Sequence, residues 1–182
     1  MLEREIKLLF DTADSARAAI LATGATPLRC RRLQEDWLFD TDSESLRRRR
    51  CVLRIRSDNG RSMLTFKGPV QPSAMKLREE HETVVSDGNV LRVVLEELGM
   101  HIWFRYEKYR EEFSAEDLTI AIDETPVGTF VEIEGGEDAI VAMARALGRT
   151  PADFILDSYR GLFIQRRDAC GLTGNDMVFS PE

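Results

Sequence analysis

The chain has 182 residues, a formal net charge of −7, 43% hydrophobic and 31% charged residues. It is long enough for one domain with a real core and too apolar for a disordered chain. The acidic balance argues against a general nucleic-acid or membrane-surface binder. Cys30, Cys51 and Cys170 lie far apart without a CxxC, so neither a zinc site nor a disulfide framework is indicated. With no apolar leader and no run of ~18 uncharged apolar residues, the expected location is the cytoplasm.

The first element is a strand over 2–9, whose alternation puts Glu3, Glu5 and Lys7 on one strand face and Leu2, Arg4, Ile6 and Leu8 on the other. "DTADSARAAILATG" follows as a helix capped by Asp11 or Thr12 and stopped by Gly24. Strands are expected at 34–40, 51–58 and 62–68, with "SDNGRS" joining the last two through an Asn-Gly hairpin turn. Between the first two, the run Arg47 to Arg50 reads as a solvated loop. A strand at 76–85 precedes a helix over "SDGNVLRVVLEELG", capped by Ser86 or Asp87 and closed by Gly99. Strands at 102–113, 117–124 and 128–134 come next, then a helix ending at Gly148. Thr150 caps a further short helix with Pro151 at its first helical position, and a last helix covers "DSYRGLFIQRR". The tail from Gly171 to Glu182 is expected to be loosely held beside a single domain over 1–170.

Strands outnumber helices and come in consecutive antiparallel pairs, which makes the class α+β with a large antiparallel sheet. Eight strands would suffice to close that sheet into a small barrel, although the pattern alone leaves it open or closed.

The polar faces of these strands have unusual content. Arg54 lines up with Arg56, Thr65 with Lys67, and Lys108 with Arg110; Asp123 shares a face with Ala121 and Thr119, and Glu132 with Glu134. One such face is an ordinary wet surface. The strand "MKLREEHETV" is different, because Lys76, Arg78, Glu80 and Glu82 oppose Glu79, His81 and Thr83, leaving it polar on both sides. Such a strand is a marginal edge or turns one polar face into an enclosed, hydrated space. Same-facing carboxylates suit hard divalent cations such as Mg²⁺ or Mn²⁺. Same-facing Arg and Lys suit phosphate oxygens. Together they describe a site for a multiply charged anion that arrives with its metal, such as a triphosphate. Neither a P-loop nor a dinucleotide-binding glycine loop is present, and His81 reads as a surface residue.

On these residues the sequence resembles the CYTH superfamily, the triphosphate tunnel metalloenzymes. The resemblance is carried by Glu3-x-Glu5-x-Lys7, "LRIR", "TFKGP", Lys76-x-Arg78-x-Glu80-x-Glu82, Lys108-x-Arg110 and "IDETPVGTFVEIE", in that order. It implies a closed eight-stranded antiparallel β-barrel with helices packed outside and charged residues lining the bore. It further implies metal ligands at Glu3, Glu5, Glu132 and Glu134, with Glu82 and Asp123 as additions. Phosphate would be gripped by Lys7, Arg54, Arg56, Lys67, Lys76, Arg78, Lys108 and Arg110, with Glu5 and Lys7 in catalytic roles. The implied cofactor is Mg²⁺ or Mn²⁺, and the implied substrate is inorganic tripolyphosphate, ATP or thiamine triphosphate. "DSYRGLF" resembles the Ser-Tyr-x-x-Leu-Leu ending of the class IV adenylyl cyclase branch, with Phe163 in the final position. Hydrolysis of a terminal phosphate is the favoured reaction; cyclisation of ATP is the alternative, and a non-catalytic polyphosphate-binding module comes third. No nucleic-acid or membrane partner is expected, and a homodimer is left open.

Overall fold

In the computed structural model, which describes residues 1–180, eight antiparallel strands close on themselves. They are β1 (Leu2–Phe10), β2 (Thr26–Thr41), β3 (Val52–Asp58), β4 (Arg61–Lys67), β5 (Lys76–Val85), β6 (Met100–Ala115), β7 (Leu118–Thr125) and β8 (Gly128–Glu134). Around the barrel the order is β1-β5-β4-β3-β2-β6-β7-β8. The helices are α1 (Ala13–Ala22), the one-turn α2 (Ser45–Arg48), α3 (Gly88–Glu97), α4 (Glu137–Ala146) and α5 (Tyr159–Arg166). No helix among the described residues is long and apolar enough to cross a membrane.

Closure depends on β1. Leu2 to Glu5 pair with β5, and Glu5 to Phe10 pair with β8, so Glu5 faces both Lys76 and Glu134 in register. Beyond the end of β5, Lys7 exchanges backbone hydrogen bonds with Ile155 at 3.0 and 2.9 Å. That single bridge satisfies an edge that would otherwise carry buried, unpaired amide groups.

The core lies outside the barrel as much as within it. Ile6, Leu8, Ile120, Ile122, Val131 and Ile133 face outward and are buried under Ala16 and Ile20 of α1 and Ile140 and Ala144 of α4. Leu95 of α3 covers Phe39 and Ile55 on the opposite side. Thr12 caps α1 in a capping box with Ser15, and Asp87 caps α3 by accepting from the amides of Asn89 and Val90. The outer face of β5, with Glu79, His81 and Thr83, has no helix over it and stays exposed. Its doubly polar sequence thus serves water on one side and the bore on the other.

Helix α5 departs from the expected outside placement. Its Tyr159, Leu162 and Phe163 pack on Leu38, Phe104, Tyr106 and Phe130, and Phe130 shares the inward face of β8 with Glu132 and Glu134. The helix therefore stops one end of the bore with an apolar plug.

Three sequence expectations need correction. β2 begins at Thr26 rather than near residue 34, because "TPLRCRRL" has no period-two apolar signal and contains Pro27. This stretch pairs with β6 alone, with register shifts at Pro27/Arg29 and Arg29/Arg32, and a one-sided ribbon tolerates proline. The turn at Pro151 is a single 3₁₀ turn, Pro151–Asp153. The tail is also held at residues 176–179. Asp176 accepts from the Arg105 amide at 2.8 Å, Met177 exchanges backbone bonds with Arg105 and Glu107, and its side chain is fully buried. These residues occupy the free edge of β6 where β7 has not yet begun to pair. The Asn-Gly turn is as expected, with positive φ at both Asn59 and Gly60.

Candidate active site

Strand parity delivers the charged residues to one place. Glu3, Glu5 and Lys7 line a single cavity of about 420 Å³ together with the inward residues of the other strands. Every expected phosphate-gripping cation lies on its wall, as do Glu82, Glu132 and Glu134. Of the expected site residues, Asp123 is not on that wall.

In the middle of the bore, cations and carboxylates alternate. Lys7 Nζ lies 3.3 Å from Glu5 Oε1 and 3.2 Å from Glu132 Oε1, and Lys76 Nζ lies 2.6 Å from the same Glu5 oxygen. Arg110 donates to Asp123 Oδ1 at 2.7 Å and also reaches Glu132. Across the barrel, Arg56 donates to Asp36 at 2.9 and 3.3 Å. Arg54 Nη2 donates to Thr65 Oγ1 at 3.1 Å, and Thr65 donates on to Glu82 Oε2 at 2.9 Å. Lys67 pairs with Glu80.

Four of the six expected ligands have other partners, Glu132 being held by Lys7 and Arg110. Asp123 is fully buried and accepts from Lys108, Arg110 and the Tyr159 hydroxyl. Burial alone would raise its pKa, but Arg110 and Lys108 pull it below the usual range. Its structural task is to anchor α5 and two cations. Glu82 is partly exposed, bonded to Thr65 and 3.6 Å from Arg54. Among the phosphate-gripping residues, Arg78 spends its donors on the Gly68 carbonyl, at 2.9 and 2.6 Å, and on the Arg50 carbonyl at 3.3 Å. It contributes charge to the bore while fixing the loop after β4. Glu5 is likewise committed: burial works to raise its pKa, and Lys7 and Lys76 override that and hold it well below the carboxylate range.

Glu3 and Glu134 stand apart. Among the described residues neither has a cation within ion-pair distance. Burial and the neighbouring Glu80 push Glu3 up to about 8, and burial with Glu5 and Glu132 pushes Glu134 up to about 7. Three lysines show the opposite imbalance. Lys67, Lys76 and Lys108 are pushed down by burial first and by Arg54, Lys7 and Arg110 respectively next, Lys108 to about 8. Arg54 Nε, 3.3 Å from Asp36 but misaligned, has no hydrogen-bond acceptor despite being buried. Glu3 and Glu134 thus lack a paired cation, while the three lysines are lowered chiefly by burial although each has a carboxylate partner.

The donor chemistry fits a hard divalent cation. Among the described residues, no three acidic, His or Cys side chains converge into a ready metal cage. Mg²⁺-type ions bind through one or two carboxylates and complete their shell with water and substrate phosphate oxygens, which is what Glu3 and Glu134 offer.

Sequence reasoning missed several lining residues. Asp36 and Gln34 lie on the inward face of a strand that was recognised, but their shared parity with Leu38 is the only signal. Tyr159 stands in the "DSYRGLF" motif with nothing in the sequence to show that its hydroxyl reaches Asp123. Arg32, which pairs with Asp58 at 2.7 Å and Glu112 at 2.8 Å, lies in the irregular half of β2 that has no strand signal.

Comparison with known proteins agrees with this geometry. The CYTH domain family model matches residues 1–151. A Methanocaldococcus jannaschii protein named "Putative adenylate cyclase" is 30% identical over 135 residues, 74% of this chain and 77% of its own. A solved Pyrococcus horikoshii structure aligns with a TM-score of 0.74 at 27% identity, covering 91% of this chain and 99% of that one. A Hippeastrum protein described as a putative adenylyl cyclase with a dominant triphosphatase activity shares the fold, with a TM-score of 0.63 at 20% identity, covering 92% and 96%.

Proposed function

The chain belongs to the CYTH family, and on that premise we propose that it is a divalent-metal-dependent hydrolase of the terminal phosphate of a triphosphate. One observation carries the reading. Two carboxylates without a counter-charge, Glu3 and Glu134, share a cavity with a buried cation set in which Lys67, Lys76 and Lys108 are held below their ordinary pKa. A metal ion and a polyanion relieve both imbalances at once.

Glu3 and Glu134 would hold the metal, with Glu5 beside them in register. Bound there, a divalent ion supplies charge neutralisation at the transferring phosphoryl group and lowers the pKa of attacking water. The chain's own part is positioning. Lys7, Lys108 and Arg110 are fixed by Glu132 and Asp123, so an incoming phosphate exchanges into an ordered set of donors rather than ordering them itself. Arg54 offers a donor already free of any acceptor. Burial of the set keeps the local dielectric low and makes each contact stronger than it would be in water.

Cyclisation of ATP is the second reading, favoured by the name of the archaeal relative. Product analysis separates the two. Purified protein with Mg²⁺ or Mn²⁺ is incubated with ATP, tripolyphosphate and thiamine triphosphate. Orthophosphate supports hydrolysis, cyclic AMP with pyrophosphate supports cyclisation, and no metal-dependent product from any of the three overturns both.

A further inference from the structure

The bore holds a polar network with no part in the mechanism above. On β2, Gln34 lines the cavity, shares the inward face with Asp36 and Leu38, and is almost wholly buried. Its Nε2 donates to Asp58 Oδ2 at 2.7 Å. Arg32 donates to Asp58 Oδ1 at 2.7 Å and to Glu112 at 2.8 Å. Burial works to raise the Asp58 pKa, and Arg32 and Gln34 override it and hold it below the usual aspartate value. An ionised carboxylate only accepts, so Asp58 fixes the orientation of the Gln34 amide: the NH2 faces Asp58 and Oε1 is turned away. That Oε1 is buried and has no hydrogen-bond donor among the described residues.

Buried acceptors without a donor are rare in native proteins, and the neighbours of Gln34 narrow what can donate to it. Lys108 is its direct register partner on β6, with Arg110 one inward step along that strand and Arg56 one step along β3. Cross-strand neighbours of this kind lie within reach of one another's side chains. All three cations are committed elsewhere, Lys108 and Arg110 to Asp123 and Arg56 to Asp36. A triphosphate gripped by them cannot satisfy Oε1 either, because its ionised oxygens only accept. The one participant in hydrolysis that brings an O–H is the attacking water.

Strand direction puts that acceptor on the side water enters. The inward residues of β2 run from Leu38, packed against α5, out to Gln34, and those of β1 from Lys7, 5.1 Å from the Tyr159 ring centroid, out to Glu3. Gln34 and Glu3 therefore both lie away from the plug, toward the end where Arg29 and Arg61 of the cavity wall are exposed. In-line displacement brings the nucleophile to the terminal phosphorus from the side opposite the bridging oxygen. We propose that Gln34 orients the attacking water by accepting its hydrogen bond at Oε1, with Asp58 and Arg32 as positioning residues that hold the amide. The terminal phosphoryl group then points toward the open end. The water oxygen forms the new bond to phosphorus, and the bond to the bridging oxygen breaks with its electron pair leaving on the diphosphate. One water proton stays on the orthophosphate and the other passes to solvent; Gln34, a neutral amide, takes neither. This inference rests on the hydrolase reading and adds the residue that places its nucleophile.

Gln34→Leu keeps most of the volume and removes the acceptor. Its kcat for orthophosphate release should fall about tenfold or more. Its KM, and its equilibrium binding of a non-hydrolysable triphosphate, should stay within about threefold of wild type. Asp58→Asn, which frees the amide to turn over, should show the same split between kcat and KM. A crystal of the wild type with the non-hydrolysable triphosphate gives a readout that no variant's folding can obscure. A water should be bonded to Gln34 Oε1 and stand about 3–3.5 Å from the terminal phosphorus. An unchanged kcat in Gln34→Leu, a fall in kcat matched by an equal loss of binding, or a substrate-bound crystal with no water at Oε1 overturns the assignment while leaving the hydrolase reading intact. A wild type that releases no orthophosphate from any triphosphate overturns the hydrolase reading itself, and this assignment with it.

Discussion

Lys7 and Glu132 are register partners on adjacent strands, and their side chains meet 3.2 Å apart inside the barrel, where Lys7 is almost wholly buried. On an ordinary small barrel this pair would lie on the outer surface. Here the apolar residues of the same strands, Ile6 and Val131 among them, face outward under α1 and α4. The inversion turns the inside of the barrel into a site.

Glu134→Gln should abolish metal-dependent turnover, with a loss of about a hundredfold or more, because it removes one of two carboxylates available to a cation. The same change relieves repulsion from Glu5 and Glu132, so thermal stability in the presence of a chelator should be unchanged or higher. Paired activity and melting measurements check this. Full activity would remove Glu134 from the metal site.

Arg56 lines the cavity as a proposed phosphate contact and also holds buried Asp36. Arg56→Ala should therefore do more than weaken substrate binding. Removing one partner of a buried ion pair costs about 3–5 kcal/mol, with Arg54 at 3.3 Å supplying part of the lost charge. A urea titration should show the drop in stability beside a raised KM. A raised KM with unchanged stability would make Arg56 a substrate contact alone.

Asp40 ties α2 to β2. Its carboxylate accepts from the amides of Thr41, Leu46 and Arg47 and from the Arg47 side chain. Burial works to raise its pKa, and those hydrogen bonds overcome it and leave the pKa below the usual aspartate value. A carboxylate with a depressed folded-state pKa contributes stability that is present above its unfolded pKa and is lost as pH falls through the folded value. Asp40→Ala should thus destabilise at pH 7 by about 1–3 kcal/mol, and its deficit relative to wild type should shrink below about pH 4. Melting curves across pH 3–7 provide the check.

Phe163 is fully buried in the plug formed by α5. Phe163→Ala should cost about 3–5 kcal/mol and loosen the Tyr159 contact with Asp123. Hydrogen exchange along α5 should rise well above that of α1. Equal protection in both helices would mean that the plug is not held by this contact.

The bore was legible because period two is unforgiving: once a strand is placed, Glu3, Arg54 or Lys108 can face only one way relative to its neighbours. The order of the charged motifs along the chain then carried the resemblance to the CYTH family, and that resemblance, not the strand pattern, implied the closed barrel. Which carboxylates are free was not legible. Glu5 and Glu3 have the same spacing and chemistry, yet Glu5 meets Lys76 across the register and Lys7 on its own strand, whereas Glu3's register partner Arg78 is turned to the Gly68 carbonyl. Asp123 looked like a ligand because nothing local shows that Arg110, Lys108 and a tyrosine 36 residues later converge on it. The early half of β2 and the docking of Met177 were also hidden, since both satisfy sheet edges created by where other strands end.

The most direct test is a crystal soaked with Mn²⁺ and a non-hydrolysable triphosphate, read at the manganese anomalous edge. The account requires an anomalous peak inside the barrel, bonded to carboxylate oxygen of Glu3 or Glu134, with phosphate density against Lys7 and Arg110. Manganese bound only on the outer surface, with the bore empty of phosphate, would contradict it.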